Sequence, residues 1–230
     1  MPDVEQAALT AEQAQRLLAA AQGERLAALF ALALYTGMRQ GELLALTWAD
    51  VDWEQATVSV RRSVRHMPRV GAVAGEPKSR RSRRTLPLIP TALEALRQHR
   101  QRQLQERLTA GGWEDHDLVF PSERGTYTEA TNLIHRPYRR VLARAGLPRV
   151  PFHALRHTTA SLLAEAHVPL AVAQELLGHS SLAMTRHYTH IPDTMEREAA
   201  TQLGQLLEFG RQDGCQLASS RDGPELETSL

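Results

Sequence analysis

The chain has a single cysteine, Cys215. One thiol excludes an internal disulfide framework and fits a reducing compartment, so a cytoplasmic protein is expected. Cys215 lies in a polar stretch, where a passive thiol is the plain reading. No run approaches the roughly 20 apolar residues of a membrane span. The opening MPDVEQAALTAEQ is acidic and polar, so neither a membrane partner nor a signal peptide is expected. Net charge is also small: 27 Lys and Arg against 26 Asp and Glu leave +1. No strong whole-protein field therefore announces a nucleic-acid partner. Lysine is almost missing: Lys78 is the only one, so the other 26 of the 27 basic residues are arginine. A lysine ammonium can give up a proton where a guanidinium does not readily do so. A site in need of a titratable acid would therefore keep its lysine, although chance survival of one residue has the same appearance.

The remaining composition is that of an ordinary globular protein of 230 residues, 42% hydrophobic and 23% charged, enough for one sizeable domain. Charge is unevenly placed. Residues 61–84 hold Arg61, Arg62, Arg65, Arg69, Lys78, Arg80, Arg81, Arg83 and Arg84 against one acid, Glu76. Such a stretch can serve as a phosphate footprint, and a solvated run is the competing reading.

The periodicities predict a mainly α protein with a small antiparallel β-sheet or hairpin, an α+β class. Thr10-Ala-Glu-Gln13 has the form of a capping box opening a helix to about Ala21. Helices over 24–36 and 41–47 follow, then a turn from Trp48 to Trp53. Thr57–Val60 alternates as a strand, with residues 83–88 as its partner. The segment carrying Gly71, Gly75 and Pro77 between them reads as a long hairpin loop. Thr91-Ala-Leu-Glu94 resembles a second capping box, starting a helix to about Leu108. Leu118–Pro121 reads as core. A helix over 128–145 carries Pro137 as a kink, and Arg136, Arg139, Arg140 and Arg144 on it form either a solvated face or a basic one. A last helix is expected from Asp193 to about Phe209, and residues 210–230 read as a polar, disordered tail.

One stretch concentrates chemistry. PFHALRHTTASLLAEAHVPLAVAQELLGHSSLAMTRHY, from Pro151 to Tyr188, combines His153, Arg156, His179 and Tyr188 with apolar residues at helical spacing. Pro169 suits the first turn of a second helix and Gly178 its end. Arg156 is a planar fork suited to phosphate, the histidines can donate to phosphate oxygens, and a tyrosine becomes a nucleophile when cations or a base favour its anion. Far upstream, TGMRQGELLALTWADVDW at 36–53 sets Arg39 and Glu42 in a break between two apolar helices, where a charge is costly unless paired or used.

H-A-L-R-H at 153–157, L-G-H-S at 177–180, a tyrosine nine positions after His179, and the arginine box around Arg39 together resemble the tyrosine recombinases of the phage integrase type. The resemblance covers roughly residues 8–209, the family's catalytic domain, so one such domain over 1–209 is expected. It implies a double-stranded DNA substrate and a site-specific recombinase or integrase activity without metal or other cofactor. It further implies catalytic roles for Arg39, Lys78, His153, Arg156, His179 and Tyr188, with Glu42 in support and Arg80, Arg81 and Arg83 on DNA. Lys78 falls where the family has its catalytic lysine. The C-terminal helix, through Leu203, Leu206 and Leu207, would dock on a neighbouring subunit in a tetramer on DNA. Met38 and His187 are small departures from the family pattern. The family's usual N-terminal clamping domain has no counterpart ahead of the first helix, so weakened DNA binding is expected.

Three rivals follow from the same residues. A metal hydrolase would use His153 and His157, spaced four apart on a helix, but Arg156 between them would repel a cation. An accessory or decoy DNA-binding protein would need no chemistry. A type IB topoisomerase would share the tyrosine chemistry without a preferred sequence.

Overall fold

A computed structural model describes residues 8–67, 69–75 and 83–178, with the backbone alone at His135. All belong to one compact unit, Met1–Thr189; a second unit, His190–Leu230, lies wholly outside the described residues. Lys78, Arg80, Arg81, His179, Tyr188, the predicted C-terminal helix, the polar tail and Cys215 are also outside them.

The centre is α2 (Ala27–Thr36), buried on nearly every side: Ala28, Leu29, Phe30, Ala31, Leu32, Ala33, Leu34 and Thr36 are all buried, while Tyr35 is exposed. A helix apolar on every side has to be surrounded. Here α1 (Ala11–Ala21), α4 (Pro90–Thr109) and α7 (Ala154–Glu165) do so. The expected cap on α1 is present: Thr10 Oγ1 accepts from Gln13 N–H at 3.2 Å, and Gln13 Oε1 accepts from Thr10 N–H at 3.0 Å. Phe30 stacks on Tyr138 at 5.9 Å, and Phe152 packs edge-on to Tyr138 at 5.3 Å. That aromatic knot fixes α6 (Arg139–Arg144) and the start of α7 to the central helix. Ahead of α6, α5 (Ala130–Leu133) runs into a π turn over Ile134–Tyr138 that absorbs Pro137. The helix therefore continues through the proline as a wide turn, in place of a break.

Two small antiparallel sheets flank the helices. β1 (Val51–Asp52), β2 (Thr57–Val60) and β5 (Arg84–Pro87) form one, in the order β1-β2-β5. β3 (Ser63–Met67) and β4 (Gly71–Gly75) form the other. The β2–β5 pairing matches the sequence expectation, with Val58 opposite Leu86 and Val60 opposite Arg84. Two expectations are corrected. The segment between those strands is no simple loop, because Ser63–Met67 turns back on Gly71–Gly75 as a hairpin packed on α3 (Gln40–Leu44). The Trp48–Trp53 turn contains a 3₁₀ turn, Trp48–Asp50, and then strand β1. Asp50 drives that turn: its buried carboxylate accepts from Thr47 N–H at 3.0 Å and Thr47 Oγ1 at 2.8 Å, and also from Arg62.

α4 starts two residues earlier than expected. Pro90 takes the first helical position and Ile89 caps it without a side-chain bond, so the predicted Thr91/Glu94 box does not form; a proline at that position is already preset for helix. Its inner face is Ala92, Leu93, Leu96, His99 and Gln103. Leu118–Phe120 are buried, as expected, and Gln103 Nε2 donates to Leu118 O at 2.8 Å. His99 Nε2 lies 2.6 Å from Val119 O. His99 is 2% exposed and its Nδ1 has no partner among the described residues. Burial first, and the positive charge of Arg25 and Arg102 with it, pushes His99 down to about 4. Between the ordinary histidine value and that figure the unfolded chain binds the extra proton, so stability falls as pH drops through this window. The loss from His99 should reach about 3 kcal/mol by pH 4. Urea midpoints from pH 7 to pH 4 test this: His99→Gln should flatten the decline, and an unchanged slope would rule His99 out as its source.

Two of the arginines on the α5–α6 segment belong to the scaffold. Arg140 and Arg144 both reach Glu24, whose side chain is 8% exposed, and Arg144 Nη1 also donates to Ala20 O at 2.9 Å. They pin α6 to the α1–α2 turn, and only Arg136 and Arg139 remain of the four as candidates for a basic face.

Candidate active site

The C-terminus of α2, the N-terminus of α3, the first residue of β5, the first turn of α7 and the end of α8 (Leu170–Leu177) converge on one cluster of charges. Arg39 precedes α3 as its N-cap, after Gly37 has closed α2 in the left-handed region at φ 62°. A Cβ on Gly37 would come within 2.5 Å of Leu177 and 3.3 Å of Thr159, so the tight break that presents Arg39 requires glycine.

Glu42 sits at the heart, its side chain 2% exposed. It accepts from Arg39 N–H at 2.9 Å and Arg39 Nη1 at 3.0 Å. It also accepts from Arg84 Nη2 at 3.0 Å and Nη1 at 3.3 Å. Burial alone would push its pKa up. The charge and hydrogen bonds of Arg84, then those of Arg39, outweigh burial and hold the carboxyl below its usual value, so it stays ionised. Arg39 keeps 37% of its side chain exposed, and its Nη2 donates to Gly178 O at 3.3 Å.

Arg156 approaches from α7 and is 4% exposed. Its Nη1 donates to Gly37 O at 2.7 Å, while its buried Nη2 has no partner among the described residues. Burial first, then the like charges of Arg39 and Arg84 against the opposing pull of Glu42, bring its pKa down to about 9. It therefore remains a cation at neutral pH. A desolvated guanidinium with an open donor is costly unless an anion completes it.

His153 caps α7 on the exposed side and stands edge-on to His157, with ring centroids 4.6 Å apart. Desolvation, followed by the positive charge of His157, Arg156 and Arg39, lowers its pKa from the ordinary histidine value. At pH 7 it is a neutral imidazole, able to take a proton.

Of the site residues read from sequence, the structure thus brings Arg39, Glu42, Arg156 and His153 into one region, and Arg83 lies exposed at the start of β5. The described part of the basic stretch is not uniform. Arg62 is bonded to Asp50 and Arg61 lies 3.7 Å from it. The sequence reading gave Arg84 no place in the site, counting it as one member of the basic run and of the strand at 83–88. Its signal was strand parity: Arg84 lies two positions from buried Leu86 and opposite buried Val60, so it faces inward.

The sequence matches the phage integrase family over residues 7–195. The chain belongs to the phage integrase family. It is 38% identical over 209 residues to a XerC-like tyrosine recombinase of Caldanaerobacter subterraneus, covering 85% of this chain and 53% of that protein. It is 41% identical over 195 residues to an integrase of Streptomyces ambofaciens, covering 77% and 47%. The chain therefore spans about half the length of these relatives. In structure it resembles the XerA recombinase, with a TM-score of 0.63 at 30% identity over 88% of this chain and 65% of that one. It also shares its fold with the Tn1549 transposon integrase solved in complex with circular intermediate DNA, at a TM-score of 0.72 and 24% identity, covering 86% of this chain and 67% of that one. The mainly helical α+β fold expected from sequence is thus that of a tyrosine recombinase catalytic domain. Among the described residues, no helix is long and apolar enough to cross a membrane.

Proposed function

We propose that this phage integrase family member is a site-specific DNA strand transferase acting on double-stranded DNA in the cytoplasm. Tyr188 attacks a phosphodiester phosphorus. Its proton passes to a base such as neutral His153, a 3′-phosphotyrosyl bond forms and the bond to the 5′ oxygen breaks. Lys78 supplies the proton that makes this oxygen a 5′-hydroxyl. Arg39 and Arg156 hold the two non-bridging oxygens as charge builds, and His179 adds a further hydrogen bond. The phosphoester energy stays in the protein–DNA link, so religation draws on no nucleotide cofactor. A tetramer joined through the helix at 193–209 would exchange strands pairwise. One observation carries the reading: Arg156 is a buried cation with an open donor nitrogen, bonded to Gly37 O two residues before Arg39, which is the requirement of an anion site in a low-dielectric setting.

The test is covalent trapping on a nicked suicide duplex drawn from the flanks of the native element, with EDTA present. Wild type should give a shifted protein–DNA band on a denaturing gel and Tyr188→Phe should give none. Bands from both would remove Tyr188 as nucleophile. Dependence on divalent metal would favour a hydrolase over a strand transferase.

A further inference from the structure

We infer that Arg84 is a positioning residue that leaves Arg39 available to a phosphate by taking over the neutralisation of Glu42, and that it ties this arrangement to the end of α8. The inference rests on the strand-transferase reading above.

Arg84 is almost enclosed, with 6% of its side chain exposed. Nη1 and Nη2 straddle the Glu42 carboxylate at 3.3 and 3.0 Å, and Nε donates to Leu176 O at 2.9 Å. The guanidinium lies directly against Gly178, where a Cβ would meet its Cδ and Nη1 at 3.0 Å and its Cζ at 3.1 Å. Gly178 closes α8 at φ 65°, and its carbonyl accepts from Arg39. Arg84 therefore packs against the same glycine that contacts Arg39, and the next residue along the chain is His179. Arg39 and Arg84 thus both span from the Glu42 carboxylate to the α8 terminus, Arg84 from the enclosed side.

Charge explains why this arrangement matters. Glu42 is one buried anion facing two guanidinia, with Arg156 nearby. Arg39 gives it only one side-chain nitrogen and stays part-exposed. Arg84 gives it a full fork. Without Arg84, Arg39 would be the one guanidinium still hydrogen-bonded to the buried carboxylate among the described residues, and the favourable response is for Arg39 to turn inward and pair bidentately. The pocket would lose one of its two phosphate donors while every proposed contact to DNA kept its residue.

The experiment compares wild type, Arg84→Gln, Arg84→Lys and the double variant Arg84→Gln with Glu42→Gln. Single-turnover cleavage of the suicide duplex is read beside equilibrium binding of an uncleavable duplex, on samples verified as folded by thermal melting. Arg84→Gln should lose about 10- to 100-fold in cleavage, the usual scale for a residue that orients an active group, with duplex affinity nearly unchanged. Arg84→Lys, which keeps charge but not the fork, should fall between. The double variant should cleave faster than Arg84→Gln alone, because no buried carboxylate remains to draw Arg39 inward. Wild-type cleavage by Arg84→Gln, equal loss of binding and cleavage, or no recovery in the double variant would overturn the inference. A second readout separates it from the strand-transferase reading: the Arg39 Nε–H resonance is followed by NMR as inorganic phosphate is added. If wild type forms no adduct, the proposed function fails. Arg84 is then judged on this titration alone, where a weaker Arg39 response in Arg84→Gln supports it. An equal response in both proteins, or none in wild type, refutes it.

Discussion

Arg156→Lys should slow strand cleavage by a factor on the order of 10²–10³, although charge at the position is retained. The fork geometry is what changes. One Nη holds Gly37 O at 2.7 Å while the other is buried without a partner among the described residues, and an ammonium cannot hold both directions in one plane. Arg156→Met should be equally poor at cleavage, yet no less stable than wild type. Losing the bond to Gly37 O costs about 1 kcal/mol. Against that stands relief from a desolvated cation that Arg39 and Arg84 already repel. Single-turnover cleavage and urea unfolding, run on the same preparations, check both halves. A clear drop in stability for Arg156→Met would mean that the guanidinium is satisfied in the free protein, and would remove the main argument for an anion site.

Glu42→Leu should act in the opposite direction on stability, costing about 3–5 kcal/mol. It is the anion against which both Arg39 and Arg84 are bonded. With an apolar side chain in its place, Arg84 stays almost enclosed without the carboxylate that its fork straddles, and Arg156 loses the opposing charge that partly offsets its neighbours. Urea midpoints should shift accordingly, and sulfate added as a substitute anion should restore part of the loss. A variant within about 1 kcal/mol of wild type would show that water or rearranged side chains satisfy the arginines. The two substitutions lie in the same cluster, so their contrast in sign is itself informative: among the described residues three guanidinia, Arg39, Arg84 and Arg156, surround the one carboxylate of Glu42, and under the proposed function the anion that balances them is a DNA phosphate.

Much of this cluster was legible in sequence because its residues sit at helix boundaries, where glycine and cap signals are strongest. Arg39 and Glu42 follow Gly37, and His153 and Arg156 open α7. Arg84 was harder to see because it sits in a run of arginines whose members have different fates. Arg62 bonds to Asp50 and Arg84 to Glu42, and both acids lie outside the run. Local charge counting misses partners that only tertiary structure supplies. The β3–β4 hairpin was hidden for a different reason. Gly71-Ala-Val-Ala-Gly75 is glycine-bounded and short in β-branched residues, so it reads as loop, yet pairing with Ser63–Met67 and packing on α3 make it a strand. The capping box at Thr91 failed because Pro90 starts the helix before the box can form.

The hydrogen bonds of the cluster also say when it is built. Arg84 reaches Glu42 across 42 positions of sequence, but Arg84 to Leu176 spans 92, Arg156 to Gly37 spans 119 and Arg39 to Gly178 spans 139. Contacts so distant in sequence are slow to form, since the intervening chain must be ordered before they are rewarded. During synthesis from the N-terminus, α2 and the Arg39–Glu42 turn emerge long before α7 and α8. A ribosome-bound chain therefore carries its arginines without the contacts that gather them, and under the proposed function the grip on phosphate arrives late, close to the completion of the fold.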